Sequence, residues 1–511
     1  MAKRFARALA ASCLFPLIPA AQAADLPDYQ SNSDWFTDGA SRVESRAAES
    51  RSDVTAKNVI LFVGDGMGIS TLTAARILEG QLRGEDGEEN ALSFEEFPHS
   101  ALIKTYNTNQ QTSDSAGTMT AMMTGVKTRA GVINVDEEAL RADCAGSQGR
   151  ELNTFLELME SRGRSTGIVS TARITHATPA ATYARSPERD WEYSADGDCT
   201  DIAAQLVELE VGDGLDVILG GGRRNFITAD DGGKREDGRD LTAEWLQRYD
   251  GEQQAVYLQS GAELAALDPA STDKLLGLFT SSHMSYDADR VAKGADEPSI
   301  AEMTTAAIDL LQKNDDGYFL MVESGRIDHG HHAGNAYSAL HDAIAFSDAV
   351  RAATEKVDLK ETLILVTADH SHVLTIAGYP TRGNPILGKM ITNDASGAPQ
   401  AEAGAAADGL PYTTLSYANG LGYADRGDET DADLRYNLAA DTGRVDLSAV
   451  DTAAPGFHQE ALVPLGSESH AGEDISLHAT GAGSRLVQGT LEQSAVFHLM
   501  VGATGLSVTA E

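Results

Sequence analysis

The sequence predicts an α/β protein with a central, largely parallel sheet flanked by helices on both faces. Three observations carry this reading. Short apolar runs rich in branched residues, at 59–63, 318–322 and 362–366, have the character of strands buried on both sides. Segments with helical period separate such runs, which is the alternation of a doubly covered sheet. Each of these runs also ends in glycine or charged residues, and in open α/β sheets ligands bind at the carboxyl ends of the strands.

The chain has 511 residues, of which 42% are hydrophobic, enough for one large α/β domain with elaborations. Residues 1–23 have a basic start, a short apolar middle and an A-Q-A end, the pattern of a secretory signal peptide cleaved after Ala23. No other apolar stretch reaches membrane length. An exported protein, periplasmic or secreted, is expected, with residues 24–511 as a single catalytic domain. Cleavage takes the formal charge from -38 to -41. Such a surface repels nucleic acid and anionic lipid, so neither is an expected partner. Acidity spread along the whole chain suggests adaptation to a salty medium, where screening offsets self-repulsion. Cys144 and Cys199 remain after cleavage. In an oxidising compartment a disulfide across the helix near 151–162 is favoured over two isolated buried cysteines.

Taken in order, residues 24–56 form a polar arm or helix anchored by Tyr29, Trp35 and Phe36. Strand 59–63 runs into G-D-G-M-G at 64–68, which exposes Asp65 ahead of a helix over 69–78. Strand 101–106 precedes T-S-D-S-A-G-T at 112–118 and a helix over 119–123. Small residues there leave room for an anion at a helix N-terminus, although Ser113 or Ser115 could equally be an ordinary cap. No G-x-S-x-G elbow surrounds either serine. A helix over 151–161 leads to strand 166–171 and then H-A-T-P-A, where Pro179 suits a first helical turn and Thr178 its cap. The Thr178 hydroxyl could also serve a hard cation. Arg185 and Arg189 follow.

Strands at 215–219 and 275–279 enclose a mixed polar region, 228–272. A helix over 300–311 feeds strand 318–322, which empties into V-E-S-G-R-I-D-H-G-H-H. Asp328 and His332, four apart, share one face of a helical turn. A long helix covers 336–355, and strand 362–366 ends at Asp369 and His370. Residues 380–460 form an inserted excursion, with strand character at 412–417. Its Asp428, Asp431 and Asp433 lack the spacing of a calcium loop and read as solvated acidic surface. His470 enters a strand near 475–479, and an apolar helix over 495–501 closes the fold.

Separated segments thus supply Asp65, Glu323, Asp328, His332, Asp369, His370 and His470, more ligands than one structural site needs. Imidazoles favour zinc, and carboxylate and hydroxyl oxygens favour magnesium, so a mixed cluster follows from ligand chemistry.

The segments G-D-G-M-G at 64–68, D-S-A-G-T at 114–118, H-A-T-P-A at 176–180, V-E-S-G-R-I-D-H-G-H-H at 322–332, T-A-D-H at 367–370 and S-H-A-G-E-D at 469–474 resemble the alkaline phosphatase family, in that family's order. The resemblance implies hydrolysis of phosphate monoesters through a phosphoserine at Ser115, with two Zn2+ and one Mg2+ per chain. Asp328, His332 and His470 match the first zinc site. Asp369, His370 and bridging Asp65 match the second, and Asp65, Thr178 and Glu323 match the magnesium site. Arg189 fits the family spacing of the phosphate clamp better than Arg185.

His176 and His329 stand where the best-known bacterial members carry Asp and Lys, and there the sequence is similar to animal and marine-type members. The resemblance makes His329 a candidate phosphate contact and His176 a neighbour of the magnesium site. It also likens the insertion to a crown-like interface region and so implies a homodimer. Small phosphomonoesters and inorganic phosphate are the expected ligands. The rival readings are a related phosphodiesterase or sulfatase, and a secreted phosphate- or metal-binding protein without turnover. The sulfatase lacks its C/S-x-P-x-R context around Ser115, and mere binding does not need a nucleophilic serine.

Overall fold

The computed structural model of the protein describes residues 24–49, 55–251, 253–423, 429–435, 439 and 443–510. The expected signal peptide lies outside the described residues. Among the described residues no helix is long and apolar enough to cross a membrane.

The core is a ten-stranded sheet. In spatial order its strands are Gly489–Glu492, His99–Lys104, Ile475–Gly481, Thr362–Ala368, Asn58–Gly64, Tyr318–Ser324, Ser165–Arg173, Val217–Gly221, Lys274–Leu278 and Ala255–Leu258. Only Ile475–Gly481 runs antiparallel to its neighbours. The central strands Thr362–Ala368 and Tyr318–Ser324 are buried at every position, which is why they read as unbroken apolar runs instead of alternating ones.

Helices cover both faces. Ile300–Leu311 and Ala336–Lys356 pack on each other, the first starting in a capping box at Ser299 and Glu302. The helix expected over 151–161 is only Phe155–Glu160, because Thr154 and Glu157 form a capping box that starts it late. The mixed region 228–272 contains an edge strand and two short helices, Leu241–Arg248 and Gly261–Ala265. In the N-terminal arm, Phe36 of helix Asp34–Glu49 meets Phe497 and His498 of the closing helix Ala495–Thr504. Cys144 and Cys199 are joined in a disulfide that spans helix Phe155–Glu160.

The insertion contributes Leu415–Gly420 to a three-stranded sheet whose other strands, Leu374–Ile376 and Ala461–Pro464, flank it in the chain. The strand expected at 412–417 is therefore displaced by three residues. Outside it, much of the described insertion is turns held by isolated bridges.

Candidate active site and metal centre

Adjacent parallel strands stop at one edge, and each delivers an acid there. Val63 is in register with Glu323 and Thr367, so Asp65, Glu323 and Asp369 leave neighbouring strands side by side. The turn after Gly64 needs glycine at 66, whose φ is 69° and where a Cβ would fall 2.3 Å from the His372 ring. Its amide N–H donates to Asp369 at 2.9 Å. His470 arrives from the far end of the chain because the two-residue strand His470–Ala471 pairs with Ser371–His372.

One cluster is formed by Asp328, His332 and His470. Asp328 Oδ1 lies 3.3 Å from His332 Nε2 and 3.4 Å from His470 Nε2, and the two imidazole nitrogens are 3.0 Å apart. Each ring's Nδ1 faces a backbone carbonyl, that of Glu468 for His332 and that of Ser113 for His470. Nδ1 must therefore carry the proton, leaving an Nε2 lone pair on both rings. Three lone-pair-bearing atoms converge, none of them offering a proton to the others. Ligand atoms at 2.0–2.1 Å from a tetrahedral zinc would stand about 3.3–3.4 Å apart, so this donor set fits zinc in identity and spacing.

His372 lies within the same cluster but has a different task. Its Nε2 donates to Asp328 at 2.7 Å and its Nδ1 to Glu468 at 2.6 Å, so neither nitrogen is free to bind a metal. Burial opposes its charge, but Glu468 and Asp328 hold its pKa up to about 10. It orients Asp328 and offers no lone pair of its own to the cluster.

A second group consists of Asp65, Asp369 and His370. His370 Nε2 is 3.2 Å from Asp369 Oδ2 and 3.4 Å from Asp65 Oδ1. Ser115 Oγ points into it, 3.1 Å from His370 Nε2 and 3.4 Å from Asp65 Oδ1. Ser115 is the first residue of helix Ser115–Thr124, capped by Asp114 through the Gly117 amide. The serine is thus not the cap, and its hydroxyl sits at the positive end of the helix.

The third group collects Asp65, Glu323, Thr178 and His176. Asp65 Oδ2, Glu323 Oε1 and Thr178 Oγ1 are all buried without a hydrogen-bond partner. Three orphaned oxygens of this kind suit a hard cation. His176 also lies within ligand reach of Asp65 and Glu323. Burial and the neighbouring acids Asp369, Asp328 and Glu323 push Asp65 well above the ordinary carboxylate range. Glu323 is pushed up to about 8, chiefly by burial. Its other oxygen accepts from Ser170 Oγ. Thr178 is not the cap expected from the sequence: helix Ala177–Ala180 starts two residues earlier, with His176 at its cap position, which leaves the Thr178 hydroxyl unspent.

Arg189 and Asp114 form the remaining wall. Arg189 Nη1 donates to Asp114 at 3.1 Å, and its Nη2 lies 3.3 Å from His176 Nε2. Burial would raise the Asp114 pKa, but Arg189 and the amides of Gly117 and Gly131 outweigh it and hold the carboxyl below its usual range. Arg185 faces away, donating to Glu157 at 2.6 Å and Asn153 at 3.3 Å. His329 packs against His283 and His176, with ring centroids 4.1 Å and 5.5 Å away, and its Nδ1 is unpartnered. Burial and the Arg326 charge push its pKa down to about 3, so the ring is neutral.

The alkaline phosphatase family model matches residues 56–506. The chain belongs to the alkaline phosphatase family. It is 42% identical over 468 residues to the tissue-nonspecific alkaline phosphatase of Gallus gallus, covering 88% of this chain and 84% of that one. It is 39% identical over 501 residues to alkaline phosphatase from Gadus morhua, covering 94% and 98%. The fold is that of Thermus thermophilus alkaline phosphatase, with TM-score 0.64, 24% identity and coverage of 95% and 98%. It is also shared with the enzyme of the Antarctic bacterium TAB5, with TM-score 0.60, 23% identity and coverage of 88% and 99%. Activity follows from membership: the protein hydrolyses phosphate monoesters, and a phosphoserine intermediate is the family's standard mechanism.

As an alkaline phosphatase, the chain gathers Ser115 and all eight residues read as metal ligands at one sheet edge, with Arg189 beside them. His329 sits beside His176 and His283. Sequence reading missed His372, Glu468, Asp114 and Ser170 as supporting residues. His372 was visible as the second histidine of T-A-D-H-S-H, but only its flanking carboxylates reveal its donor role.

Proposed function

We propose that Ser115 is the nucleophile, that Asp328, His332 and His470 hold one zinc, that Asp65, Asp369 and His370 hold a second, and that Asp65, Thr178 and Glu323 hold magnesium. The convergence of lone pairs from Asp328, His332 and His470, with no proton between them, carries this reading. When bound, the metals neutralise phosphoryl charge and lower the pKa of oxygen acids.

The chain's own residues do the rest. Ser115 Oγ forms a bond to phosphorus as the alcohol departs with the ester oxygen. Water then forms the next bond to phosphorus and breaks the serine ester, releasing phosphate. Asp114 holds Arg189 in place so that its remaining N–H groups grip phosphoryl oxygens. The neutral His329 is a phosphate contact, direct or through water. A TAB5 alkaline phosphatase mutant has Mg bound in its M3 site, and the orphaned oxygens support a comparable ion here.

The natural setting is the periplasm or extracellular space of a salty medium, consistent with a net charge of -38. A homodimer is supported by the exposed apolar residues Tyr379, Leu462 and Val463 on and beside the insertion's sheet, 88%, 84% and 50% exposed. The deciding experiment measures metal content together with hydrolysis of an aryl phosphate and its diester, before and after chelation. Two zinc and one magnesium with chelator-sensitive monoester turnover are expected. Full turnover in the stripped protein would refute the metal assignment.

A further inference from the structure

The insertion does more than elaborate the surface. Asp433, read from sequence as solvated, is drawn inward. Its Oδ2 accepts from Arg326 Nη2 at 2.9 Å, and its Oδ1 accepts from the Tyr286 hydroxyl at 2.9 Å and from Arg326 Nη1 at 3.5 Å. The Arg326 side chain is only 3% exposed, and its guanidinium lies 3.8 Å over the Tyr286 ring.

Arg326 is the first residue of helix Arg326–His332, which carries Asp328, His329 and His332. At the other end of that helix, its C-cap Ala333 forms one buried cluster with Tyr286 and Ala432. Thr430 adds a hydrogen bond to Asp289 at 2.9 Å. Segment 429–435 therefore grips the helix at both ends.

A helix of seven residues has no intrinsic stability, so its orientation comes from such contacts. A buried guanidinium also needs its counter-charge, which ties the helix start to Asp433. His329 stands one turn beyond Arg326, on the same side. A displacement of even 1 Å at a catalytic group can change rates by about a hundredfold.

We propose that segment 429–435 is a strap that positions helix Arg326–His332 for phosphate binding, with Asp433 a positioning residue acting through Arg326 on His329. This rests on the site reading above. The test uses the full-length metal-loaded enzyme and compares Asp433→Ala, Asp433→Glu and Ser115→Ala, well below each variant's unfolding midpoint. Measured are kcat, KM for an aryl phosphate, the inhibition constant of inorganic phosphate, and bound metal.

Asp433→Ala should raise KM and the phosphate inhibition constant together by about tenfold with metal content unchanged. Asp433→Glu should restore both to within about threefold. A lower unfolding midpoint with both constants unchanged would overturn the strap. If Asp433→Ala fails to fold, Tyr286→Phe removes only one donor and should shift both constants in the same direction by about threefold; no shift would overturn it equally. Ser115→Ala separates the two failures. Undiminished turnover there condemns the site assignment, whereas an inactive Ser115→Ala beside an unchanged Asp433→Ala condemns the strap alone.

Discussion

Acids at the sheet edge and acids in the insertion are the same residue types, yet the protein treats them in opposite ways. In the insertion, Asp394 accepts from the amides of Ser396 and Ala398, Asp408 from the Leu410 amide and Arg444, and Asp446 from the Ser448 amide. These acids close their own turns and are satisfied locally. At the sheet edge, Asp65 Oδ2 and Glu323 Oε1 meet no donor, and Asp328 faces two imidazole lone pairs. The Ser396 hydroxyl and local backbone amides hold Asp394 below its usual pKa, while burial and like charge drive Asp65 above it. The difference teaches that the acids of this edge stand out by burial with oxygen left over: Asp65 and Glu323 each keep one unpartnered oxygen beside other buried acids.

The sharpest way to break this contrast is to remove one acid from each region. Asp369→Ala should lose bound zinc and reduce aryl phosphate turnover by a factor on the order of a thousand or more. Asp394→Asn should leave both untouched and change stability by no more than about 0.5 kcal/mol. Equal effects in metal analysis and kinetics would erase the distinction.

A smaller effect sharpens it within the site. Thr178→Val deletes one orphaned oxygen with little change of volume. It should weaken magnesium binding by about 10–100-fold, read by titrating the ion into stripped enzyme, with both zinc ions retained. Unchanged magnesium affinity would return Thr178 to a packing role.

The smallest concerns an acid that is buried but has a donor. Glu160 bonds the Thr166 hydroxyl at 2.5 Å, yet burial raises its pKa to about 8. Its unfolded value is near 4.5, so between pH 4.5 and 8 the folded state holds a proton that the unfolded state has released, and stability falls as pH rises across that window. Glu160→Gln should flatten that part of the midpoint-versus-pH curve without altering turnover. An unaltered slope would show that Glu160 ionises normally.

Much of this was legible along the chain because the relevant physics is local. A parallel strand covered on both faces must be apolar throughout, so 59–63, 318–322 and 362–366 announced themselves, and the residues following them had to lie at one sheet edge. Asp65, Glu323, Asp369 and His370 became candidates that way. The motifs then gave Ser115, Arg189, Thr178 and His470 their proposed roles. Less local matters went astray. The cap before Ala177–Ala180 moved to His176, since the chain needed Thr178 inside the turn, and the insertion's strand moved to 415–420 where a partner strand was available.

By itself, then, the sequence determined the fold class and the family and supplied the candidate ligands, because strand burial, ligand chemistry and motif order are all written in neighbouring residues. Only the tertiary structure decided what each polar atom meets. It put protons on the Nδ1 atoms of His332 and His470, made His372 a donor between two carboxylates, turned Arg185 away from the site and drew Asp433 inward to Arg326. Those outcomes depend on groups up to 357 residues apart in the chain, as between Ser113 and His470, and burial makes each such meeting count.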